Sequence, residues 1–380
     1  MSDNGLSRRD FVRLAALGVG VAACPIGRAA LAGEKDAKAR AGLSDHEALA
    51  YTKLADKKVR CELCPRTCTV PDGARGYCGV RENQGGVYRS LVYAYPCSVH
   101  VDPIEKKPLF HFMPGSQAFS LATVGCNFEC QFCQNWQISQ ARPEDAEGAT
   151  YCPPAKIVEL TKASKCEIIA YTYTEPTVFH EYVLDCARAG KEAGIRSVVI
   201  SNGFINPEPL KNLCKVLAAY KVDLKGFTEQ FYQKYTTGSL KPVLDTLELL
   251  KKLGMHSEVV NLLIPGLNDD PEQIKKMAGW VVQKLGPDVP MHFTRFHPSY
   301  KMTNLSPTPI PTIERARQMA VAEGVRYAYT GNVPGSEYEN TFCHNCKKKI
   351  ISRYGCETTA IHVKDGRCEY CSTAIPGVWK

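Results

Sequence analysis

Between about Gln117 and Gly331 the chain alternates short apolar runs with amphipathic stretches. The runs Phe119–Val124, Ile168–Tyr173, Ser197–Ile200, Lys221–Leu224, His256–Leu263, Met291–Phe296 and Arg326–Tyr329 read as strands. Helical spacing occupies Ala155–Lys165, Thr177–Ala193, Pro209–Ala219, Val243–Leu253 and Pro271–Leu285. Strands that alternate with helices of about 10 to 15 residues predict βα units on a parallel sheet. The expected fold class is therefore α/β, a partial or full (βα) TIM-like barrel over residues 117–335, with its chemistry at the C-terminal ends of the strands. Upstream, residues 33–60 are charged and alanine-rich and predict a linker running into a short helix. Residues 61–116 form a cysteine-rich, metal-binding segment with glycine-rich loops, and residues 336–380 a zinc-ribbon-like tail with two CxxC pairs.

The first 32 residues follow a different pattern. Ser7-Arg8-Arg9-Asp10-Phe11 precedes an apolar stretch from Leu14 to Ala23, which is short of the ~20 residues needed to span a bilayer. A twin-arginine region before a short apolar segment reads as a Tat signal. Val21-Ala22-Ala23-Cys24 offers a lipobox and Ala30-Leu31-Ala32 an ordinary cleavage site. The expected locations are thus the periplasm or a lipid anchor, with the cytoplasm as the alternative. Any membrane association would pass through that signal or anchor.

Composition changes the picture mainly through cysteine. The chain of 380 residues carries 18, while 44% hydrophobic and 23% charged residues are ordinary for a soluble enzyme. The net charge of +8 is spread along the chain, so no nucleic-acid partner is expected. Cysteines two or three residues apart converge readily on a metal, which favours metal ligation over a disulfide framework.

The sharpest motif lies directly after the first predicted barrel strand: Gly125-Cys126-Asn127-Phe128-Glu129-Cys130-Gln131-Phe132-Cys133, a C-x3-C-x2-C loop. Three thiolates on a cubane of four irons leave one iron without a protein ligand. That open iron is where the amino and carboxylate groups of S-adenosylmethionine (SAM) can chelate and receive an electron. Gly125 lets the backbone turn sharply off the strand, and Phe132 is placed to cover the cluster or the adenine.

These residues resemble the radical SAM superfamily, and in particular its AmmeMemoRadiSam-system members, related to activating enzymes of glycyl-radical enzymes such as pyruvate formate-lyase. The strings that carry the likeness are CELCPRTC, DPIEKKPLFHFMPGS, GCNFECQFCQNW, YTYTEPT, VDLKG, RFHPSYKM and CSTAIPGVW. The resemblance implies catalytic roles for Cys126, Cys130 and Cys133 as ligands of a [4Fe-4S] cluster. It implies that Glu175 accepts from the SAM amino group, that Ser201 and Asn202 meet its ribose or carboxylate, and that Asp223 and Lys225, on one strand face, point at bound SAM. For Ser201-Asn202-Gly203 a plain turn is the competing reading, and for Asp223 and Lys225 a buried ion pair. Leu263-Ile264-Pro265-Gly266 resembles an adenine-contacting turn. Arg295 is a candidate carboxylate binder, whereas His292 and His297 read as packing residues. The implied activity is reductive cleavage of SAM to a 5′-deoxyadenosyl radical, followed by hydrogen abstraction from a small-molecule or protein substrate, including a glycyl-radical protein. The implied partner is an electron donor such as ferredoxin or flavodoxin.

Two further cysteine sets stand outside that loop. Cys61-x2-Cys64-x3-Cys68-x9-Cys78 supplies four ligands for zinc or for a closed iron–sulfur cluster. Cys343-x2-Cys346 and Cys368-x2-Cys371 supply four more, for zinc or iron–sulfur, with Cys356 a possible substitute. Asp102 to Pro108 is a charged stretch expected to be loop, and Lys347-Lys348-Lys349 a solvated turn. Cys152, Cys166, Cys186 and Cys214 read as ordinary buried thiols. Two other functional classes compete: an iron–sulfur electron-transfer protein without SAM chemistry, and a zinc-ribbon adaptor. The barrel-length α/β body argues against both.

Overall fold

The computed structural model describes residues 43–146 and 149–379, so the twin-arginine segment and Cys24 lie outside the described residues. The described chain opens with six short strands, β1 (His46–Glu47), β2 (Tyr51–Lys53), β3 (Val59–Cys61), β4 (Thr69–Val70), β5 (Arg81–Gln84) and β6 (Val87–Ser90). They form two three-stranded antiparallel sheets, β1-β6-β5 and β2-β3-β4. The short helix expected before residue 58 is replaced by β1 and β2. The polar run Asp56-Lys57 takes left-handed backbone angles, φ 55° and 54°, and closes a hairpin that buries Val59 and Cys61. Charge there marks a turn, not a helix surface.

Eight strands follow: β7 (Ser98–Pro103), β8 (Gln117–Ala122), β9 (Ile168–Tyr171), β10 (Arg196–Ser201), β11 (Ala219–Asp223), β12 (His256–Leu263), β13 (Met291–Arg295) and β14 (Ala328–Gly331). Strands β8 to β14 pair in chain order and all parallel, while β7 runs antiparallel against β8. The edge strands β14 and β7 do not pair, so the sheet is an open, partial barrel. The apolar runs are strands because helices cover them: β9 is buried throughout and β10 at every position after Arg196. Ile169 of β9 packs in one cluster with Val183 and Ala187 of helix His180–Glu192 and Leu213 of helix Pro207–Cys214.

Strand β7 was not legible as one, because its sequence SVHVDP is mixed and only half buried. Asp102 and Pro103, expected in a loop, end that strand, and Ile104–Lys106 is a single 3-10 turn. Helices Glu229–Tyr235 and Ile310–Ala322 also escaped the sequence reading.

The segment after that turn crosses beneath the sheet. Glu258, near the start of β12 and fully buried, accepts the backbone amides of Phe110 (3.0 Å) and His111 (2.7 Å). The same carboxylate lies 2.7 Å from His292 Nε2. The tail then builds β15 (Thr341–Phe342), β16 (Lys349–Tyr354) and β17 (Glu357–Ile361) as one antiparallel sheet, and β18 (Val363–Lys364) with β19 (Arg367–Cys368) as a hairpin. Buried Arg353 of β16 donates to the Phe110 carbonyl at 2.8 Å, fastening this sheet to the segment beneath the barrel.

Candidate active site

The C-x3-C-x2-C loop leaves the C-terminal end of β8 at Gly125, whose φ of 97° suits glycine. A side chain there would press on Val80 and come within 3.2 Å of the Cys78 carbonyl. The loop is pinned by backbone bonds, Glu129 N to Thr236 O (3.1 Å) and Gln131 N to Tyr235 O (2.9 Å), and by Arg66 Nε donating to Asn127 O at 2.8 Å. Cys126, Cys130 and Cys133 all line one cavity of roughly 490 Å³ at the C-terminal mouth of the sheet. Among the described residues no fourth cysteine lines it.

Glu175, just past β9, is 2% exposed and faces the same cavity. Its Oε1 accepts from Thr177 N (3.0 Å), Thr177 Oγ1 (2.7 Å) and Ser201 Oγ (2.7 Å), and its Oε2 from Asn202 N (2.8 Å). Oε2 keeps acceptor capacity toward the cavity. Burial raises the Glu175 carboxyl above its ordinary range in spite of these donors. Asn202 Nδ2 donates to Asn127 Oδ1 at 2.8 Å and lies 4.0 Å from Cys126 Sγ. On the far side of β10, Asp223 stands between two lysines: Lys221 holds Oδ1, and Lys225 Nζ lies 3.0 Å from Oδ2. Burial alone would raise the Asp223 carboxyl, but the two ammonium groups hold it at about 2.

Residues 120–278 match the family profile described as Radical SAM superfamily. A protein of Methanocaldococcus jannaschii, named only as uncharacterized, is 46% identical over 87% of this chain and 98% of its own length. The chain belongs to the radical SAM superfamily. Pyruvate formate-lyase-activating enzyme of Listeria monocytogenes is 26% identical over 43% of this chain and 68% of that enzyme. The crystal structure of a radical SAM methyltransferase from Sphaerobacter thermophilus aligns with 58% of this chain and 67% of that one, at 15% identity and a TM-score of 0.46.

Membership implies a [4Fe-4S] cluster and SAM, and the chemistry of the donors fits both. Three cysteines converge on one cavity. Burial raises the Cys126 thiol well above its usual range and Cys130 to about 12, so a bound metal is what would draw these sulfurs into the thiolate form. A carboxylate with a remaining lone pair and a flanked aspartate complete a polar wall suited to a zwitterionic amino acid head group.

The other sequence candidates separate. Phe132 is buried against the cavity, its ring centroid 6.1 Å from that of Phe231. Ser201 faces the cavity but its hydroxyl serves Glu175 and accepts from Gly203 N at 2.9 Å, which makes it a positioning residue. The Leu263-Gly266 turn does not line the cavity; Asn268 Oδ1 caps it at Ile264 N, 2.7 Å. His292 is paired with Glu258, Arg295 Nε donates to Thr308 O at 2.8 Å, and His297 is exposed.

Sequence reading missed three participants. Lys221 lies two residues before Asp223, so strand alternation alone would have found it. Asn127 sits inside the cysteine loop and links it to Asn202 and, through Nδ2, to Phe204 O at 2.8 Å. Lys107 reaches the cavity wall and pairs with Asp102 Oδ2 at 2.5 Å, beside the Tyr173 hydroxyl at 3.3 Å. Burial, opposed by Asp102, leaves the Lys107 ammonium at about 8. No local pattern marks Lys107, because only tertiary folding brings residues 102, 107 and 173 together.

In the tail the four Sγ atoms of Cys343, Cys346, Cys368 and Cys371 lie within 4.8 Å of one another. Cys343–Cys371 is 3.6 Å and Cys346–Cys368 3.8 Å. Zn–S bonds of about 2.3 Å in a tetrahedron give an edge of about 3.8 Å, so the set is sized for one zinc ion. Cys356 is exposed at the β16–β17 turn, and the quartet is complete without it.

Proposed function

We propose that this chain binds SAM in the 490 Å³ cavity against a [4Fe-4S] cluster on Cys126, Cys130 and Cys133, and uses it to take a hydrogen atom from a substrate. The observation that carries the reading is one cavity holding three loop cysteines, no fourth among the described residues, and the Glu175 and Asp223 carboxylates. When bound and reduced by one electron, the cluster supplies cleavage of the SAM sulfonium C–S bond to methionine and a 5′-deoxyadenosyl radical. The protein's part is binding, orientation and exclusion of water. Oε2 of Glu175 accepts from the SAM ammonium, and Thr177, Ser201 and the Asn202 amide fix that carboxylate in place. Asp223 with Lys221 and Lys225 offers polar contacts to the carboxylate and ribose. Phe132 shields the cluster loop from solvent, which protects a carbon radical from side reactions.

The reductant is a low-potential electron carrier of the ferredoxin or flavodoxin type. The likeness to pyruvate formate-lyase-activating enzyme supports a backbone glycine of a partner protein as the hydrogen donor; a small molecule in the cavity is the second reading, supported by its volume of roughly 490 Å³. Anaerobic reconstitution with dithionite and SAM should yield 5′-deoxyadenosine. A demonstrably reduced cluster that yields none would overturn the proposal. Replacing Cys130 by Ala should abolish the product, and unchanged turnover would remove that ligand assignment.

A further inference from the structure

Cys61, Cys64, Cys68 and Cys78 line a small buried pocket together with Arg81 and Tyr88. Both of the latter are fully buried, and both present a donor with no acceptor: Arg81 Nη1 and Tyr88 Oη. The rest of the guanidinium is engaged, since Nε donates to Val178 O at 3.2 Å and Nη2 pairs with Glu181. Buried donors of this kind are almost always satisfied. Two of them lining the same pocket as four thiols mark the place of an anionic group that the side chains alone do not supply.

A metal centre on four thiolates is such a group, and size distinguishes its kind. The tail quartet is drawn in as one zinc requires, and among the described residues it is the one set of three or more cysteine, histidine or carboxylate ligand atoms found within 4.8 Å of one another. The four upstream thiols share a pocket but, among the described residues, are not drawn together in that way. A cubane sets irons and bridging sulfides between its ligand sulfurs, so its cysteines stand wider, and its sulfides are acceptors for neighbouring donors. We propose that Cys61, Cys64, Cys68 and Cys78 hold a second, fully ligated [4Fe-4S] cluster, with Arg81 and Tyr88 donating to its sulfurs. Its setting is next to the first site. The Cys78 carbonyl abuts Gly125, Cys78 and Cys126 border one cleft, and Asn127 lines the upstream pocket.

The test is metal analysis and EPR of the anaerobically purified full chain. The wild type should carry about eight irons and one zinc. Replacing Cys126, Cys130 and Cys133 together by Ala should leave about four irons, with a reduced EPR signal that SAM does not perturb. Replacing the four upstream cysteines should instead remove that signal and leave the tail zinc. A wild type with about four irons and two zinc ions would overturn the proposal even if the variants failed to fold. Arg81→Gln, read in the triple-alanine background, should lower the reduction potential of the remaining cluster, because a positive charge beside it is lost. An unchanged potential would remove Arg81 from the centre.

Discussion

Lys225 Nζ lies 3.0 Å from Asp223 Oδ2 while Lys221, two residues earlier, occupies the other carboxylate oxygen. One anion thus bridges two ammonium groups, and the Lys221 side chain is 4% exposed. Asp223→Asn would leave two like charges facing each other under low dielectric. Breaking such a buried pair costs on the order of 3 kcal/mol, read as a lower urea midpoint by circular dichroism. Adding Lys221→Met should restore most of that loss; no recovery would show that the lysine is not what Asp223 compensates. Because the folded carboxyl sits at about 2 against 3.8 unfolded, this stabilisation is present above pH 3.8 and disappears as pH falls through about 2.

Glu175 gives a binding prediction. Charge-assisted hydrogen bonds contribute about 1.5–3 kcal/mol, so Glu175→Gln should weaken SAM binding roughly ten- to a hundredfold by anaerobic titration. Ser201→Ala, which only loosens Glu175, should cost less, about fivefold. If both variants bound SAM normally but melted earlier, the carboxylate would be structural.

The tail should behave as a single-zinc module. Cys368→Ser should lose about one zinc per chain and lower the melting temperature, with the iron content unchanged. Iron lost in step with that zinc would contradict the separation of the sites.

His111 sets a pH dependence. Its Nδ1 donates to the Pro376 carbonyl and its Nε2 accepts from the Tyr329 hydroxyl, both at 2.6 Å, an arrangement only the neutral ring makes. Burial holds it at about 4, against 6.5 in an unfolded chain. The unfolded state therefore binds the proton first, and stability falls as pH drops from 6.5 toward 4, by about 3 kcal/mol for this residue. Denaturant titrations of His111→Asn should show a shallower slope in that window. Buried His180, also held at about 4, keeps the slope from vanishing.

The parallel strands were legible because sheets covered on both faces are written as apolar runs, as in Ile168–Tyr171. The cysteine loop was legible because its ligands lie within eight residues of one chain segment. What could not be read is long-range. Strand β7 is named by its pairing with β8, not by its mixed sequence. The Glu175 carboxylate is set by Ser201 and Asn202 from another strand. The Leu263-Gly266 turn shows the converse, a familiar string held in place by Asn268 rather than facing the cavity.

Arg353 on Phe110, His111 on Pro376 and the Phe112–Val378 bridge make the last residues of the chain the underside of the partial barrel. Truncating the chain before the second CxxC pair would therefore not trim an accessory. It would strip support from the peptide that runs on from Lys107, and disturbance would reach the cavity that Lys107 and the three loop cysteines line.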